Sequence, residues 1–178
     1  MLFVNVVADG IPGFALSREK ADPTIMSNRP TAKGESIFAN GGYRNIAIAA
    51  ITFTVTTLIG FYVGSFIDIG SSIAPSHEVG QTMAFLILGF SSVLHIFNAR
   101  TKESIFKVGI TSNLSLFLLA MLSIGLIALV ATVPFLAAIF DLAALSATHW
   151  LMVVGLSLAI LVVVELQKFI ISKMNKHF

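Results

Sequence analysis

Asn5 and Asp9 lie four residues apart in the segment VNVVADGIPGFALS, and every residue between them is apolar. A helix stacks positions i and i+4 on one face, so an amide oxygen and a carboxylate are presented together. These are the hard oxygen ligands that Ca²⁺ takes, and Mn²⁺ accepts the same set. Gly10 and Pro12 follow at once. Proline removes a backbone donor and clashes with the preceding turn. The helix is therefore expected to loosen beside the carboxylate and to offer freed carbonyls to a cavity, as the broken helices of transporters do. An ionised carboxylate at bilayer depth costs at least about 2.5 kcal/mol, and a bound cation offsets that cost. The other reading open at this point is an Asp at a helix end, solvated by the membrane interface.

The elements that hold these residues follow from composition. The chain is 56% hydrophobic and 11% charged, with mean hydropathy +0.92, whereas soluble domains carry about 25% charged residues. Segments 45–67, 79–99, 108–140 and 142–164 contain no Asp, Glu, Lys or Arg. Each supplies the roughly 20 apolar residues that cross a bilayer. The opening segment is a fifth and shorter candidate. Backbone groups facing lipid must be satisfied within their own segment. The expected fold is therefore an all-α membrane protein, a bundle of about five transmembrane helices over about 1–16, 45–67, 79–99, 109–133 and 147–167.

Charge sets the expected orientation. All 11 Lys and Arg residues fall in alternate connections. Arg18, Lys20, Arg29, Lys33 and Arg44 follow the first segment; Arg100, Lys102 and Lys107 follow the third; Lys168, Lys173 and Lys176 close the chain. The loops near 68–78 and 141–149 carry none. The positive-inside rule then places the N-terminus outside and the C-terminus in the cytoplasm. A net charge of +2 and a pI near 9.1 do not mark a nucleic-acid binder, because the basic residues are not gathered on one soluble face. The absence of cysteine excludes disulfides and thiolate metal sites. There is no positively charged leader region of the secretory type. The chain opens as if partway along a helix, which suggests part of a longer protein. A multi-pass position in a bacterial plasma membrane is the simple expectation.

Other polar residues have plainer readings. Gly60 and Gly64 form a GxxxG that lets another backbone approach closely, and a helix outside this chain is one expected partner. Chance is the competing account. Ser91, Ser92, His95 and Asn98 fall in the third span, where hydrogen-bonded packing is favoured over ligation. Glu165 and Lys168 read as an interfacial ion pair, and Trp150, beside His149, as an interfacial anchor. No phosphate loop, H-E-x-x-H or nucleophile elbow is present.

Several of these motifs together resemble a known family. VNVVADGIPGFALS followed by DPTIMSNRP resembles the sixth transmembrane helix and following loop of P-type cation-transporting ATPases of the calcium-pump type. GFYVG is similar to the seventh helix, QTMAFLILGFSSVLHIFNAR to the eighth and ATHWLMVVGLSLAILVVVELQKFI to the tenth. The resemblance covers essentially the whole chain. It implies that Asn5 and Asp9 are cation ligands on an unwound helix, with Ca²⁺ as the transported ion. It also implies that the 22–30 loop faces the phosphorylation domain. Two departures stand out: Ala8 where many two-site pumps have threonine, and Ser92 about where they have a glutamate. Both weaken the same site, so the resemblance implies one Ca²⁺ per cycle. The family's phosphorylated D-K-T-G motif does not occur in this sequence. ATP and Mg²⁺ chemistry therefore belongs to a full-length pump.

The expected function is the C-terminal membrane domain of such a pump, whose partners are the lipid bilayer and the missing N-terminal part or a full-length pump. The rival is a standalone, non-enzymatic membrane protein that regulates a pump through its GxxxG face. A small secondary transporter fits less well, because no internal repeat supplies an alternating-access pair. The orientation is tested by cysteine labelling on the cysteine-free background. Ser72→Cys should react with a membrane-impermeant maleimide from outside intact cells, and Asn175→Cys only after permeabilisation. The reverse pattern overturns the assignment.

Overall fold

The computed structural model describes residues 2–19, 42–101 and 104–174. The 22–30 loop singled out above lies outside the described residues. Among the described residues the fold is entirely helical. Helix α1 (Leu2–Leu16) is short and apolar; four helices are long and apolar enough to cross a membrane. These are α2 (Gly42–Phe66), α3 (His77–Ala99), α5 (Leu114–Thr132) and α7 (Ala147–Met174). Two short helices, α4 (Ile105–Val108) and α6 (Pro134–Ile139), lie on either side of α5 in sequence.

Local chemistry sets the helix ends. Ser76 caps α3 by accepting the Val79 amide at 3.2 Å, with Glu78 in the first turn. Such a cap satisfies one of the orphan donors at a helix start. Asn113 caps α5 through the Leu116 amide at 2.9 Å. Pro134 ends α5 because the residue before a proline is driven out of the helical region, and Val133 is extended there. Pro134 then begins α6, where its missing amide costs nothing.

Helix α3 is the hub. Just over half of its most apolar window is buried, 56%, against 22–33% for the other three long helices. It packs against α1, α2, α5 and α7. Glycine makes the tightest of these contacts possible. A Cβ on Gly64 would lie 2.8 Å from the Gly80 Cα and 2.9 Å from its nitrogen. A Cβ on Gly60 would collide with the Ile87 side chain, and one on Gly80 with Ser65. The GxxxG therefore receives α3 of the same chain rather than an outside helix. Small residues are needed because two backbones meet there.

Side chains of Leu58, Tyr62, Leu118, Leu151 and Val162 remain exposed on the outer faces of the long helices. A water-soluble bundle would not carry so large an apolar surface, whereas lipid tails solvate it. Replacing Gly64 with valine should cost about 1–3 kcal/mol by overpacking. Gly155→Ala, where nothing lies within 4 Å of the new carbon, should be neutral or slightly stabilising. Unfolding in mixed detergent micelles measures both; equal effects would refute the backbone contact.

Candidate functional site

Helix α1 is not regular. Residues Asn5–Gly10 form a π-helical stretch, in which the Ile11 amide reaches back to the Val6 carbonyl. The usual partner in an α-ladder is the residue four back, here Val7. The cause sits one residue further on. Pro12 has no N–H, and its ring cannot approach the carbonyl of residue 8 in a normal turn. Widening the turn by one residue relieves the clash, as π-bulges do. Pro12 itself is buried in the first turn of the α-helical segment that follows.

The widening leaves a debt at Val7. Its carbonyl has lost the Ile11 amide, and the i+5 partner of a π-ladder would be Pro12, which has no hydrogen to give. Ser123 of α5 fills the place: its hydroxyl donates to the Val7 carbonyl at 2.6 Å, fully buried. Gly89 of α3 lets the same region close up, since a Cβ there would lie 3.2 Å from Ile127 and 3.7 Å from Val4.

The wide turn has two sides. Val4, Val7, Ala8, Pro12 and Ala15 are buried in the bundle, while Asn5, Val6, Asp9 and Gly10 are exposed. The structure thus places Asn5 and Asp9 together on an open face. Asp9 Oδ1 accepts a hydrogen bond from Ser92 of α3 at 2.8 Å. Among the described residues this is the only hydrogen bond to the Asp9 carboxylate, and no cation pairs with it. Ser92 thus engages one oxygen of a carboxylate that is otherwise exposed. No group of three or more His, Cys, Asp or Glu gathers into a metal site among the described residues. Ca²⁺ needs about six to eight oxygens, so Asn5 and Asp9 form one part of a coordination sphere.

The remaining polar residues of α3 serve three neighbours. His95 meets Phe53 of α2 edge-on, with ring centroids 5.6 Å apart. Asn98 donates to the Ile160 carbonyl of α7 at 3.3 Å. Ser92 turns to α1, where it meets Asp9. Ala8 is fully buried and has no side-chain oxygen to offer the open face. Glu165 pairs with Lys168 at 3.1 Å, and the same oxygen also accepts the Ile105 amide of α4 at 3.2 Å. Trp150 stacks obliquely near Phe90 of α3, centroids 6.4 Å apart, so its ring takes part in packing.

Sequence reasoning missed a second feature that holds α1. Arg100 follows α3 with its side chain almost wholly buried. It donates to the Gly109 carbonyl and the Ser112 hydroxyl, each at 2.6 Å, and lies 3.7 Å from Glu19 beyond the end of α1. Asn113 donates to the same Glu19 carboxylate at 2.7 Å. One charged cluster thus ties together the ends of α1, α3 and α5. The signal available in sequence was an arginine directly after an apolar span, a position that interfacial snorkelling also explains. Ser123 gave less signal still, as a lone serine in an apolar run.

The family model for the C-terminus of cation-transporting ATPases matches residues 1–170. Calcium-transporting ATPase 1 of Lactococcus lactis is 34% identical over 179 aligned positions, covering 99% of this chain and 19% of its own length. Calcium-transporting ATPase 1 of Bacillus cereus is 31% identical, covering 94% of this chain and 20% of its own. A calcium-transporting ATPase of the yeast Yarrowia lipolytica is 27% identical over 99% of this chain. The chain spans about a fifth of the length of these relatives.

Proposed function

This chain belongs to the family of cation-transporting ATPase C-terminal domains, and on that premise we propose that it serves as the C-terminal membrane domain of an ATP-driven calcium pump. In this reading Asn5 and Asp9 supply cation ligands from the wide turn of α1, and the other helices brace that turn. One observation carries the proposal. Asp9 stands unpaired by any described cation, on an exposed face, at a helix discontinuity, with its orientation set by Ser92. A carboxylate at bilayer depth needs a positive partner, and a transported cation is one.

The chemistry supports a defined division of labour. Hard oxygen ligands favour Ca²⁺, with Mn²⁺ as the competing cargo. The remaining ligands, the ATP site and its Mg²⁺ belong to the rest of the pump, which is the proposed partner. Ala8 offers no side-chain oxygen, and the Ser92 hydroxyl is already engaged with Asp9. Both facts favour one Ca²⁺ per cycle, held until phosphorylation-driven movement of the helices weakens the site. A bacterial plasma membrane is the proposed location, in keeping with the bacterial relatives. The regulator reading loses its contact surface, because the GxxxG face is occupied by α3 of the same chain.

The test is calcium-dependent phosphorylation of the pump assembled with this chain. Asp9→Asn should lower calcium affinity by about 100-fold or more, beyond the roughly tenfold expected for the orienting residue in Ser92→Ala. Unchanged calcium dependence in Asp9→Asn would sink the assignment. Two calcium ions bound per phosphoenzyme would sink the single-ion stoichiometry.

A further inference from the structure

Ser123 lies on α5, away from the open face that carries Asn5 and Asp9. It is completely buried, and its hydroxyl is committed to a backbone carbonyl rather than to another side chain. We propose that Ser123 is a positioning residue: it replaces the hydrogen-bond donor that Pro12 lacks, and so holds open the wide turn on which Asp9 is presented. The inference rests on the reading of Asp9 as a cation ligand.

Three observations lead to it. The Ile11 amide goes to Val6, so the Val7 carbonyl has no partner within its own helix once Pro12 occupies the i+5 place. The only group that meets this carbonyl among the described residues is the Ser123 hydroxyl, at 2.6 Å. A serine hydroxyl in a helix ordinarily bonds back to the carbonyl four residues earlier. Thr52, Thr56, Thr82 and Ser157 of neighbouring helices all do so. Ser123 instead donates across the interface to α1.

The geometry explains why this matters to Asp9. One residue of helical register is about 100° of rotation. Closing the π turn to a regular ladder would therefore swing Asn5 and the residues before it relative to those after Pro12. Asn5 and Asp9 share a face in either ladder, but that face keeps its direction relative to the helix after Pro12, and so to Ser92, only while the extra residue stays in the turn. Proline prevents closure on one side by its ring. Ser123 removes the penalty on the other by satisfying the carbonyl that the wide turn orphans. Without the hydroxyl, a buried acceptor is left unmade, and the segment relaxes toward whatever geometry finds it a donor.

The decisive experiment is a double-mutant cycle in the pump assembled with this chain, using Ca²⁺ as the probe. Two quantities are read: the calcium concentration for half-maximal phosphorylation, and the thermal midpoint followed by circular dichroism. Ser123→Ala should raise the first about tenfold and lower the second by about 1 °C. Adding Pro12→Ala gives residue 12 an amide, so the midpoint should return to the parent value. Calcium affinity should stay low, because a turn with a full set of donors is free to close. If the double variant recovers both quantities, Ser123 has a merely structural role and the positioning proposal is overturned. If it recovers neither, or if Ser123→Ala changes nothing, replacement of the proline's donor is refuted. Should Ser123→Ala fail to fold, the double variant must still fold for the proposal to stand. Asp9→Asn in the same assay separates the two readings. If it leaves calcium dependence unchanged, the ligand assignment is at fault; if it acts while Ser123→Ala is silent, only the present inference falls.

Discussion

In hydrocarbon no water is available to a broken backbone, so every carbonyl and amide needs a protein partner. The rest of the architecture around α1 depends on how that demand is met at one proline. Pro12 withdraws a donor and pushes the preceding turn into π geometry. The Val7 carbonyl is then satisfied from α5 by Ser123. A helix that depends on a neighbour for its backbone hydrogen bonds cannot move or rotate independently of that neighbour. The break beside Asp9 is thus also what binds α1 to the bundle.

Helix α3 converts this local arrangement into a rigid frame. Its glycine at position 80 meets Gly64 of α2 at backbone contact, and Gly89 receives Ile127 and Val4. Its polar residues divide among neighbours: Ser92 to Asp9 on α1, Asn98 to Ile160 on α7, and Thr82 to the Ala143 amide at 2.8 Å. Interhelical hydrogen bonds in membranes are individually modest, about 0.6 kcal/mol on average. Their value here is register rather than bulk stability. Arg100 and Glu19 then lock the far ends of α1 and α3. The candidate site is held at its middle by Ser92 and Ser123 and at its end by this cluster.

Much of the fold was legible because lipid simplifies the problem. An uncharged run of sufficient length has one stable backbone solution, and proline has one local effect on a helix. Ser76 and Asn113 acted as ordinary caps, and Pro134 ended α5 as its chemistry demands. The pairing of Asn5 with Asp9 on one face was likewise legible from their spacing. The partner of the GxxxG was not. A small-residue motif states that something packs closely, and carries no information about which helix it is. Gly80 stands outside any recognisable pair with it in sequence.

The sequence by itself determined an all-helical membrane bundle, a carboxylate beside a weakened turn, and resemblance to the cation-pump family. These are local properties, set by hydropathy, charge and the covalent geometry of proline. Tertiary structure alone decided that Ser92 orients Asp9, that Ser123 satisfies Val7, and that Arg100 reaches Glu19. The physical reason is separation. These contacts join residues about 80 to 120 positions apart, and serines of equal local character, such as Ser91 and Ser92, differ only in the direction the folded helix gives them. Periodicity finds the face of a helix; only packing determines which neighbour that face meets.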